Sequence, residues 1–76
     1  MNTTNQSLDA RGLNCPLPIL KTRKALDAMN TGETLRVITT DPGSVKDIGA
    51  FCLQNGHALV STHEEGNEHI FVICKS

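Results

Sequence analysis

TLRVITTDPGSVKDIGAFCLQNG, residues 34–56, carries the change of period that decides the fold. Thr34 to Thr40 is β-branched and alternates, which predicts a strand. Asp41-Pro42 then reads as a helix N-cap followed by proline at the first helical position. The helix is expected to run to about Asn55-Gly56, with Val45, Ile48, Gly49 and Cys52 at the i, i+3, i+4, i+7 spacing of one buried stripe. Upstream, Leu8 and Ala10 flank Asp9 in a short alternating strand that stops at Gly12. Pro16 and Pro18 suit only the first turn of a helix, Leu17 to Met29 supplies helix formers, and Asn30-Thr31-Gly32 supplies the stop. Downstream, strands near 57–63 and 68–75 flank the turn residues 64–67. The order βαβαββ predicts an α/β (α+β) fold, a two-layer sandwich with two helices on one face of a mixed four-stranded sheet.

A hairpin centred on Gly66 puts Val60 opposite Val72 and Ala58 opposite Cys74, an apolar face expected to cover both helices. The opposite face would carry Leu59, Ser61, His63, His69, Phe71 and Ile73, and is either weakly covered or a contact surface.

A chain of 76 residues is one domain and buries only about 60% of its unfolded surface. Residues 1–6 are expected to be a disordered tail and 7–76 the domain. With no Trp or Tyr and two Phe, the core is aliphatic and leaves little volume for an enclosed pocket, so chemistry is expected at the surface. The formal charge of -1 offers no global attraction to nucleic acid or anionic membrane. Three cysteines without close, even spacing fit a reducing compartment, and the polar N-terminus resembles no secretion signal, which together imply a cytoplasmic protein.

Cys15 stands out among the three. It directly precedes the two prolines that pin a helix start, where unpaired N–H groups and the positive end of the helix dipole favour thiolate. Pro16 and Pro18 lack an N–H, leaving Leu17 and Ile19 as first-turn donors, so the sulfur is expected to be poised but weakly hydrogen-bonded. On the following helix, Pro18, Ile19, Thr22, Ala25, Leu26 and Met29 group on one side as core. The other side shows Leu17, Leu20, Lys21, Lys24 and Ala28: either a solvated face or a docking face beside Cys15.

Cys52 and Cys74 read as packing residues, and neither forms a CxxC with Cys15. His63 and His69 are expected opposite each other across the hairpin, but two imidazoles do not make a zinc site, so no metal is expected. Asp9, Asp41 and Asp47 read as isolated carboxylates, Asp41 as the helix cap.

The segment Leu8-Asp9-Ala10-Arg11-Gly12-Leu13-Asn14-Cys15-Pro16-Leu17-Pro18 closely resembles the TusA/SirA-like family, whose signature is Cys-Pro-x-Pro at the start of the first helix. TGETLRVITTDP (31–42) and Lys46-Asp47-Ile48 extend the resemblance over residues 7–75. It implies a fold like the C-terminal domain of a bacterial translation initiation factor and a sulfur carrier with the persulfide on Cys15, without any other cofactor. It further implies a sulfurtransferase in that sense, without small-molecule turnover. Implied donors are a cysteine desulfurase or a rhodanese-like sulfurtransferase, and the implied acceptor is a DsrE-like protein, with the carrier itself a monomer when alone. Downstream routes would be tRNA thiolation, molybdenum-cofactor supply or sulfur oxidation.

Two other classes compete. A regulatory or RNA- or protein-binding module would function without Cys15, although the near-neutral charge and the lack of exposed aromatics argue against RNA. A thiol redox sensor would use Cys15 but end in sulfenic acid or a mixed disulfide.

Overall fold

The structure, a computed structural model, describes residues 5–76, Asn5 by its backbone alone. Its elements are β1 (Asn5–Ala10), α1 (Leu17–Asp27), β2 (Thr34–Thr39), α2 (Ser44–Asn55), β3 (Ala58–Glu65) and β4 (Glu68–Cys74). Residues 1–4 of the expected tail lie outside the described residues, and Asn5 and Gln6 already belong to β1.

The sheet order is β1-β2-β4-β3, with β1 parallel to β2 and the other neighbours antiparallel. A βαβ unit therefore places α1 over β1 and β2, and α2 lies over β3 and β4 against α1. Both helices cover one face, as the pattern of periods predicts. Leu26 from α1 and Ile48 and Cys52 from α2 meet Ala10, Leu35, Val37, Phe71 and Ile73 in one apolar cluster. Burying such side chains stabilises by about 1.5–3 kcal/mol each, which is what holds so thin a core together.

The helix ends follow local chemistry. Gly56 takes the left-handed conformation (φ 75°) that closes α2, and the His57 N–H donates back to the Cys52 carbonyl at 3.0 Å. The last carbonyls of α1 receive a cation instead: Lys75 Nζ donates to the Leu26 carbonyl at 2.5 Å. Thr22, on the core side of α1, is completely buried, and its hydroxyl has no hydrogen-bond partner among the described residues.

The faces of the hairpin are the reverse of those expected. Leu59, Phe71 and Ile73 point to the helices, paired across strands as Leu59 with Ile73 and Val37 with Phe71. The outer face instead carries Arg36, Ile38, Val72 and Cys74, so Cys74 is half-buried on the uncovered side rather than a core residue. A register shift between Leu59 and Ser61 leaves Val60 out of the pairing, exposed rather than opposite Val72. Beyond that bulge every β3 residue moves by one, so His63 faces Ile70 and Glu64 faces His69. The expected His63–His69 pair does not form. His69 turns to the helix side, 8% exposed, with Nδ1 3.2 Å from Glu64 Oε2. Val45, expected in the stripe of α2, is exposed, and Ser44 takes the buried place one residue earlier.

Candidate functional site

Residues 11–16 connect β1 to α1 at the end of the sheet where β2 also leads into α2. Gly12 (φ 79°) makes the first bend in a conformation open to glycine, and its N–H donates to Thr40 Oγ1 at 2.8 Å. The Asn14 carbonyl accepts from the Leu17 N–H at 2.8 Å, and the Pro16 carbonyl accepts from the Leu20 N–H at 3.2 Å. Leu17 is thus not a free donor. Pro16 and Pro18 provide none, which leaves Ile19 as the first-turn N–H without a protein acceptor among the described residues. Pro18 is also fully buried, so it packs as well as shaping the helix start.

Cys15 is exposed, whereas Cys52 is buried and Cys74 half-buried; all three are free thiols. Two carboxylates, one from the loop between β2 and α2 and one from the first turn of α2, hold Cys15. Its N–H donates to Asp41 Oδ2 at 3.1 Å, and its thiol donates to Asp47 Oδ2 at 3.2 Å. Asp41 is therefore a strut between two loops rather than the N-cap of α2. Gly43 occupies the cap position without a side-chain bond, while Asp41 Oδ1 accepts from the Gly43 N–H and its carbonyl from Ser44.

These carboxylates reverse the expected ionisation of Cys15. The hydrogen bond to Asp47 pushes its pKa above the ordinary thiol value, with partial desolvation and the charges of Asp47 and Asp41 acting in the same direction. The field of the helix start does not overcome them. Cys52 is pushed up as well, there by burial.

The thiol opens into a groove of about 540 Å³ between the helices, walled by Pro16, Ile19, Leu20 and Arg23 of the α1 side and by Asp47 and Phe51 of α2. Leu20 of the expected docking face borders it, 51% exposed. Leu17, Lys21 and Lys24 are exposed on the outer side of α1, flanking the groove rather than lining it. Ile19 packs against the core as its helix position predicts and also borders the groove, while Arg23 and Phe51 carry no local signal of a role there. Asp47, which reads in the sequence as an isolated carboxylate within a family-like segment, is instead in contact with Cys15; nothing local links it to a cysteine 32 positions earlier.

No helix among the described residues is long and apolar enough to cross a membrane. A chain named sulfur carrier protein TusA from Allochromatium vinosum is 57% identical to this one over 72 residues, covering 95% of each. The solved structure of a SirA-like protein from Desulfitobacterium hafniense superposes with a TM-score of 0.75 over 91% of this chain and 93% of that one, at 24% identity, a likeness of fold. A family model described as Sulfurtransferase TusA matches residues 6–75, almost the whole length that carries the fold and both walls of the groove. The chain therefore belongs to the TusA family.

Proposed function

We propose that this protein is a sulfur carrier that holds a sulfane sulfur as a persulfide on Cys15 and passes it between protein partners. The observation that carries the reading is the contrast among its cysteines: Cys15 alone is exposed, at a loop pinned by Asp41 and open to a groove of mixed apolar and polar walls. The groove is too open to enclose a small substrate, which fits a protein whose reactants arrive attached to other proteins. Membership of a family described as a sulfurtransferase, and a relative named a sulfur carrier, support the same chemistry. The sulfur itself is the cargo, and no other cofactor is needed for its transfer.

A cysteine desulfurase or rhodanese-like enzyme is the proposed donor and a DsrE-like protein the proposed acceptor, docking on Leu17, Leu20, Lys21 and Lys24 beside the thiol. Free thiols, one of them exposed, support a reducing compartment such as the cytoplasm as the site of this work. Intact-mass spectrometry after incubation with a cysteine desulfurase and cysteine tests the assignment. Addition of one sulfur mass is expected in the parent, Cys52→Ala and Cys74→Ser chains and not in Cys15→Ser; reductant-releasable loading that survives in Cys15→Ser overturns it.

A further inference from the structure

We propose that Asp47 is a positioning residue that keeps Cys15 protonated and turned toward α2 in the free protein, so that the thiol stays unreactive until a partner's cation engages this carboxylate. The inference rests on the carrier reading for its purpose, but its chemistry can be tested without it.

The geometry is direct. Asp47 stands in the first turn of α2. An ionised carboxylate is an acceptor only, so at 3.2 Å the shared proton belongs to the sulfur. Replacing that thiol by thiolate would leave two anions in contact, with a third, Asp41, on the backbone N–H of the same residue. The charged groups facing Cys15 are Asp47 from α2, Asp41 from the loop before it and Arg23 from α1 across the groove. Of these, the two aspartates bear on its ionisation, and both oppose the thiolate.

Sulfur transfer then needs the contact to change. Cys15–SH and a donor persulfide R–S–SH become Cys15–S–SH and R–SH. Cys15 loses its proton and forms a bond to the terminal sulfur; the donor S–S bond breaks, its electron pair goes to the donor's own sulfur, and that sulfur takes a proton. The Cys15 sulfur is oxidised by as much as the donor cysteine is reduced, so nothing else is consumed. Because thiolate is the attacking form, the Asp47 contact slows this reaction with any stray electrophile or oxidised thiol. A donor that sets a lysine or arginine against Asp47 turns the carboxylate away from the sulfur and removes the penalty at the moment of docking.

The test is the pH profile of iodoacetamide alkylation at Cys15, followed by peptide mapping in the parent, Asp47→Asn and Asp47→Glu chains, with Asp47→Ser as a second neutral variant should the asparagine chain fold poorly. Removing the charge is expected to shift the profile to lower pH and raise the rate at neutral pH by about threefold or more, the gain in thiolate outweighing its weaker nucleophilicity. Asp47→Glu is expected to retain the parent's profile. An unchanged profile in a folded, charge-free variant overturns the proposal. Desulfurase loading of the same proteins separates the two readings: a parent chain that never gains sulfur overturns the carrier function, whatever the alkylation profile shows.

Discussion

The start of α1 and the middle of α2 each present a cysteine whose thiol form is favoured, and they do so by opposite means. Around Cys52 the cause is burial among Leu26, Ile48 and the sheet, which also denies access to any reagent. Around Cys15 it is a contact with one exposed-edge carboxylate, on a sulfur that is otherwise open to a groove. The first arrangement can be undone only by unfolding. The second can be undone by moving one side chain, which is the property a carrier thiol needs and a structural thiol does not.

The largest effect expected from this difference is in reactivity. Native alkylation of Cys52 should be roughly 10³-fold slower than that of Cys15, because it waits for opening of the core at a cost of a few kcal/mol. Peptide mapping after limiting iodoacetamide measures the ratio, and comparable labelling would break the distinction between the two sites.

Stability should divide the regions in the same way. Leu26→Ala, which empties a completely buried position beside Cys52, is expected to cost about 2–5 kcal/mol in denaturant unfolding, against well under 1 kcal/mol for Leu20→Ala on the groove rim. Within the core, Thr22→Val removes a buried hydroxyl without a partner while keeping its volume, and should raise stability by about 1 kcal/mol. A loss instead would mean that the hydroxyl contributes to stability where it stands.

On the groove side, reversing the charges of Lys21 and Lys24 should leave the unfolding curve unchanged and slow association with an acidic partner by up to about tenfold at low salt, with a weaker salt dependence. Stopped-flow transfer rates at two ionic strengths check this; identical rates would assign the two lysines to a merely solvated face.

The smallest effect lies away from both cysteines. Arg11 holds the Asp9 carboxyl down to about 2 through its side-chain and backbone hydrogen bonds, on an exposed strand end. A depressed folded value means stability that is present above the ordinary carboxylate range and is lost as pH falls from about 4 toward 2. Asp9→Asn should flatten that part of the pH-stability curve by a small amount, since the pair is open to solvent.

Much of this was legible before any coordinates. The alternation of Thr34 to Thr40, the prolines at 16 and 18 and the glycine at 56 determined the element types and their order, because strand period, fixed φ and left-handed closure are properties of a few adjacent residues. The same local logic singled out Cys15 from Cys52. Which hairpin face meets the helices was not legible, since Leu59, Phe71 and Ile73 alternate with Ala58, Val60, Val72 and Cys74 of similar hydropathy and a single bulged residue inverts the pairing beyond it. The ionisation of Cys15 was decided further still from its own neighbourhood. Prolines in sequence made the helix start, but only folding brought Asp41 and Asp47, 26 and 32 positions away, onto its N–H and its sulfur, and at contact distance a carboxylate outweighs the diffuse field of a helix end.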